Sequence, residues 1–170
     1  EGTLSGMEEL GALTEKMSAD VIPYNGIEVC GIHVRPFRTP HDTKESTGFT
    51  AVTPDNKRIA VATDIGVVDN SVMNAIYGCD LVLLESNHDV GMLQSGPYPY
   101  YLKRRILSEV GHLSNEACAE AACHFVNTGT TRLILGHLSR DNNTTSAAMA
   151  ETSLALGRMG AVEGIDYMLS

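Results

Sequence analysis

Lys57-Arg58-Ile59-Ala60-Val61-Ala62-Thr63-Asp64-Ile65-Gly66 is the stretch on which the fold turns. Four apolar residues, Ile59 to Ala62, are followed almost at once by an acid and then a glycine. A short apolar run that stops in this way reads as a buried strand presenting a carboxylate at the rim of a sheet. The pattern recurs. Leu81 to Leu84 runs into Glu85-Ser86-Asn87-His88, Leu133 to Leu135 into Gly136-His137, and Ile27 to Phe37 into Pro40-His41-Asp42. Layered α/β proteins gather their chemistry at strand ends along one rim. Asp64, His41 and His137 are metal-ligand residue types, so the first expectation is a metal site at that rim.

The 170 residues fit one domain with a single sizeable core, and 43% hydrophobic residues is ordinary for a globular chain. No apolar run reaches membrane-spanning length. A net charge of −9 argues against non-specific nucleic-acid binding by the whole surface, but not against a local basic patch. Cys30, Cys79, Cys118 and Cys123 form no Cys-x-x-Cys pair and read as free thiols, which points to a reducing, cytoplasmic location.

Ser5-Gly6-Met7-Glu8 resembles a capping box and predicts a helix over about Ser5 to Met17. Val21 to Tyr24 reads as a short strand. Ile27 to Phe37 reads as one strand ended by Pro36 and Pro40, with Ile27, Val29, Gly31, His33 and Arg35 on one face. Gly48 to Thr53 and Arg58 to Ala62 form a hairpin through Pro54-Asp55-Asn56. Asp69 caps a helix reaching Gly78, and a strand over Leu81 to Glu85 follows. Gly96-Pro97-Tyr98-Pro99 breaks the chain before a helix over Tyr101 to Val110. Ser114 or Asn115 caps the next helix, which ends near Gly129. Thr131 to Leu135 reads as a strand buried on both faces, Ala147 to Met159 as a helix, and Ile165 to Leu169 as a closing strand.

Several polar residues have both a plain and a chemical reading. His33 is most simply a strand side chain, and His124 a packing or surface residue. His112 either neighbours a helix start or serves as a general acid oriented by a carboxylate such as Glu85. His88 and Asp89 either cap a short helix or reach the site. Lys103-Arg104-Arg105 is either a solvated helix face or a phosphate-binding one, with Tyr98, Tyr100 or Tyr101 stacking on a base.

Four stretches taken together, PFRTPHDTKESTGF, VATDIG, LLESNHDVGMLQSGPYPYYLKRRILSEVGHLSNEA and LILGHLSRDNN, resemble the metallo-β-lactamase superfamily. The resemblance is nearest to its YycJ/WalJ-like group of nuclease-type metallohydrolases, and it covers most of Pro36 to Asn143. It implies an α/β (α+β) fold, part of an αββα sandwich with two divalent metal ions, Zn2+ or Mn2+, between the sheets. It places His41, Asp64 and His137 as metal ligands, with Asp64 bridging. It implies that Asp64, Glu85 and His112 are catalytic, with Glu85 steering His112 toward the leaving oxygen while a metal-activated hydroxide attacks phosphorus. It leaves His88, Lys103, Arg104 and Arg105 as substrate-binding candidates.

The family's first ligand cluster, His-x-His-x-Asp-His, is absent from this chain. The expectation is therefore a single incomplete domain lacking its N-terminal half, with partial or no metal occupancy and no activity of its own. Such a domain exposes a sheet face and is expected to self-associate as a homodimer or larger. The complete form is expected to be a phosphodiester hydrolase, a 5′-to-3′ exonuclease on DNA or RNA. The alternatives are a small-molecule metallohydrolase acting on a thioester, lactone or cyclic nucleotide, and a non-catalytic binding or dimerisation remnant.

Overall fold

The computed structural model describes residues 1–14, 17 and 20–170. Among them one sheet has seven strands in chain order: β1 (Ile27–Val29), β2 (Ile32–Arg38), β3 (Thr47–Val52), β4 (Arg58–Ala62), β5 (Leu81–Glu85), β6 (Arg132–Gly136) and β7 (Met168–Leu169). The first four are antiparallel, and β5, β6 and β7 add to β4 in parallel. Helices α2 (Asn70–Ile76), α3 (Val90–Ser95), α4 (Tyr100–Ile106), α5 (Asn115–Asn127) and α6 (Thr145–Arg158) lie in the parallel crossovers. Parallel strands need such crossovers, so β4, β5 and β6 all end at the same rim. Their register, Ala62 beside Leu84 and Leu84 beside Leu135, aligns those ends.

The core lies on one face of the sheet. Ala60, Ala62, Val82, Leu84 and Leu133 pack against Val72 and Ile76 of α2, Cys118, Ala122 and Phe125 of α5, and Leu156 of α6. Alternate residues point the other way, and there Ile59, Leu81, Leu83 and Ile134 are only half-buried and Val61 is exposed. The continuous apolar run of β6 is therefore not buried on both faces.

Other expectations also need correcting. The strand expected over Ile27 to Phe37 is a hairpin, because Cys30 and Gly31 both take positive φ, 51° and 80°, as the tightest hairpin turns require. The face shared by Ile27, Val29 and His33 does not survive that turn. Pro36 lies inside β2 and does not end it. Strand β1 stops pairing at Val34, so beyond it β2 is an edge that tolerates a missing N–H. Val21 to Tyr24 is not a strand, since Pro23 begins a turn closed by Gly26 N–H on its carbonyl. The first helix, α1, is Gly2–Glu9 and has no side-chain cap. Part of the helix expected to reach Met17 falls on residues outside those described. The closing strand is shortened to Met168–Leu169, because Ile165 and Asp166 turn back on the Val162 carbonyl.

Candidate active site

The rim where β4, β5 and β6 end carries Asp64, Glu85 and His137. Two loops bring histidines to it, His41 after β2 and His112 ahead of α5. Asp64 and His137 both sit in left-handed backbone, at φ 53° and 56°. Each is held there by its neighbours. Ser46 Oγ donates to the Asp64 carbonyl at 3.1 Å. Asn87 Nδ2 donates to the His137 carbonyl at 2.9 Å. Strain of this kind persists only where the surroundings impose it, and it collects at functional sites. Gly66, two residues beyond Asp64, admits no Cβ, which would lie 2.4 Å from the Glu109 carbonyl.

The strain can be measured. Asp64→Gly is expected to be more stable than Asp64→Ala by about 1 kcal/mol, because only the Ala variant keeps a Cβ in left-handed backbone. Equal urea midpoints for the two would contradict this.

Glu85 organises the site from beneath. Its carboxylate is fully buried. Ile65 N–H donates to Oε2 at 2.8 Å, and the Nδ1 atoms of His112 and His137 lie 2.7 and 3.1 Å from Oε1. A carboxylate that receives both Nδ1 protons leaves both Nε2 atoms free for the site. His41 is fixed the same way, because its Nδ1 lies 2.8 Å from the Gly111 carbonyl, which can only accept. Its side chain is 5% exposed.

The three imidazoles and Asp64 converge. Nε2 of His41 and of His137 stand 3.7 and 3.8 Å from the same Asp64 oxygen. Those gaps are too long for hydrogen bonds. They approach the separation, about 3–3.5 Å, of neighbouring donors that share one ion at bonds of about 2.1 Å. His112 belongs to the same cluster, its ring centroid 4.9 Å from His41 and 5.3 Å from His137. Ligand atoms of His41, Asp64 and His112 all lie within 4.8 Å of one another. Nitrogen and carboxylate donors with their far sides anchored by a carbonyl and a buried carboxylate fit a divalent metal.

Not every candidate reaches this centre. His88 is buried at 1% exposure with no hydrogen-bond partner on either ring nitrogen, so it cannot touch a substrate from where it lies. Lys103 Nζ donates to the Gln94 and Gly96 carbonyls, both at 2.7 Å, and closes the end of α3. Arg105 pairs through two nitrogens with Asp42. Of the three basic side chains only that of Arg104 makes neither a hydrogen bond nor an ion pair among the described residues. The sequence reading missed Asp42, which links Arg105 to His41 Nε2 at 3.6 Å. It also missed the buried amides Asn115 and Asn143, which bond each other at 2.8 Å and tie down Ser86 after β5. Their place in the quoted motifs, three residues after His112 and six after His137, was the available signal.

Two histidines make stability pH-dependent in opposite directions. Burial pushes the His88 ring below its ordinary value. Below about pH 6.5 the unfolded chain therefore takes up a proton that the folded chain refuses, and stability is lost as pH falls. The hydrogen bond to Glu85 raises His112, against an opposing effect of burial. Its contribution is full below about pH 6.5 and is lost as pH rises through the raised folded value. Urea melts between about pH 5 and 8 should show His88→Leu flattening the acid limb and His112→Gln the alkaline one. Unchanged limbs would contradict both assignments.

No protein-family model matches the chain. It is 40% identical over 129 residues to exodeoxyribonuclease YycJ of Bacillus anthracis, covering 76% of this chain and 48% of that one. It is 36% identical over 136 residues to exodeoxyribonuclease WalJ of Streptococcus pneumoniae, covering 80% and 50%. The chain thus spans about half the length of the curated relatives it matches. In three dimensions it resembles the metallo-β-lactamase fold protein YhfI of Bacillus subtilis, at a TM-score of 0.64 and 15% identity over 89% of this chain and 56% of that one. It also resembles Zn2+-bound PqqB of Methylobacterium extorquens, at 0.61 and 17% over 88% and 48%. The chain has the metallo-β-lactamase fold, and over the matched residues it is similar in sequence to the exodeoxyribonucleases YycJ and WalJ.

Proposed function

We propose that this chain carries the catalytic rim of a metal-dependent phosphodiester hydrolase, which in its full form is a 5′-to-3′ exonuclease on DNA. The observation that carries the reading is the 2.7 Å contact between buried Glu85 and His112 beside the Asp64 cluster. Hydrolysis of a phosphodiester needs a proton for the leaving oxygen, and a histidine whose pKa is raised by its hydrogen bond to a buried carboxylate can give one from Nε2. A thioester makes no such demand, because its thiolate leaves without a proton. The names of the two relatives point to the same chemistry.

His41, Asp64 and His137 would hold the divalent metal, Zn2+ or Mn2+. When bound, it supplies Lewis acidity at the phosphate and lowers the pKa of water. The residues of this chain do the rest. Glu85 fixes the tautomers of His112 and His137, Gly111 fixes that of His41, and His112 holds a transferable proton. With this ligand set alone, the 170 residues are expected to bind metal weakly and to cut little by themselves. No helix among the described residues is long and apolar enough to cross a membrane. The protein acts in the cytoplasm and self-associates through the half-buried sheet face.

The test of polarity uses the full-length protein with Mn2+ and single strands blocked at one end. A strand blocked at its 5′ end should survive while one blocked at its 3′ end is degraded to mononucleotides. Degradation of both, or of the 5′-blocked strand alone, would refute the polarity.

A further inference from the structure

Helix α4 sits against the site yet contributes no ligand to it. The His112 N–H donates to the Ile106 carbonyl at 3.0 Å. A Cβ on Gly111 would lie 2.2 Å from the Arg105 carbonyl and 2.3 Å from that of Ile106. The end of α4 is therefore pressed against the residue whose carbonyl orients His41. Asp42 closes the other side through Arg105, and its own N–H donates to Val110.

The outward side of this anchored helix is unusual. Tyr100 and Tyr101 are 75% and 74% exposed, more than Tyr24 at 63% or Tyr77 at 59%. Adjacent rings left in water gain nothing from folding. Arg104, one turn after Tyr100, holds its guanidinium 6.0 Å from that ring. Tyr101 stands one turn before Arg105, whose partner Asp42 adjoins His41. In a chain of net charge −9 this is a local cationic and aromatic strip leading to the rim.

We infer that Tyr100, Tyr101 and Arg104 form a stacking platform that guides a single strand of nucleic acid into the active site. The inference rests on the nuclease reading and adds the form of its substrate. An unpaired base offers a free face to a tyrosine, whereas a base inside a duplex is already stacked on both sides. Arg104 meets the backbone phosphate between bases, and its charge is free to do so. Lys103 and Arg105 are already engaged and act as structural supports for the strip.

The experiment measures binding of the full-length protein in EDTA, so that nothing is cut, to a labelled oligothymidylate, the matching oligouridylate and a blunt duplex. Tyr100→Ala combined with Tyr101→Ala is expected to weaken single-strand binding by about tenfold or more and to leave duplex binding unchanged. Arg104→Ala should reduce the slope of log affinity against log salt by about 0.7. Tyr77→Ala, an exposed ring at the end of α2, should bind as the parent does. The oligouridylate shows whether the strip also accepts RNA, since stacking alone does not read the sugar.

All four proteins should share one thermal midpoint, because the altered side chains are exposed. Absence of single-strand binding by the parent, or equal affinity in the double tyrosine variant, would overturn the inference. So would an equal loss in Tyr77→Ala. Cleavage by a protein whose strand affinity ignores these rings leaves the hydrolase standing without the platform. Ring-dependent binding by a protein that cuts nothing does the reverse.

Discussion

Glu85→Ala is expected to destabilise the protein by about 3 kcal/mol and to lower its hydrolytic rate by about 10²–10⁴-fold. The first effect follows from burial. The carboxylate is wholly enclosed and receives three donors, from Ile65, His112 and His137. Truncation leaves those donors without their charged partner. The second effect follows from orientation, since two imidazoles lose the acceptor that fixes their tautomers and ring planes. Glu85→Gln separates the two. Its amide oxygen can still accept from Ile65, so most stability should return. The His112 pKa, read by NMR, should fall towards its ordinary value as the negative charge is lost. A Gln variant with His112 still raised would contradict the role given to Glu85.

Asp64→Ala is expected to abolish metal-dependent hydrolysis, with a loss of more than about 10³-fold, while costing little stability. Its side chain is half-exposed and accepts no hydrogen bond among the described residues, the Nε2 atoms of His41 and His137 standing 3.7 and 3.8 Å away. The carboxylate therefore contributes little to folding. Its position between two Nε2 atoms is the one the proposed metal site requires. A residue held in left-handed backbone at no gain to stability is the pattern expected where function fixes the conformation.

Much of this site was legible in the sequence because strand ends are. An apolar run that stops at Asp64, Glu85 or Gly136-His137 announces both the strand and the rim, and parallel pairing then brings the three ends together. The Glu85–His112 pair was one of two open readings of His112, and resemblance to a family favoured it, since 27 residues and two helices separate the two side chains. What stayed hidden depended on contacts across the chain. Nothing local says that Lys103 turns to carbonyls of α3, or that Arg105 is taken by Asp42, 63 residues earlier. Nor does the run ESNHD say that His88 points into the core while Glu85 points to the rim. The hairpin at Cys30-Gly31 was misread because the change of phase there, from apolar Ile27 and Val29 to apolar Ile32 and Val34, was passed over, and the positive φ at a cysteine has no composition signal. Pro36 was taken as a terminator for lack of the pairing that makes its position an edge.

The most direct measurement is the rate at which the full-length protein, loaded with Mn2+, cuts a 5′-labelled single strand, set beside that of its Asp64→Ala variant and of a sample in EDTA. If His41, Asp64 and His137 hold the ion that Glu85 and His112 work with, the parent cuts and both others leave the strand intact. Cleavage that persists in Asp64→Ala, or an intact strand with a metal-loaded parent, would contradict a phosphodiesterase centred on this rim.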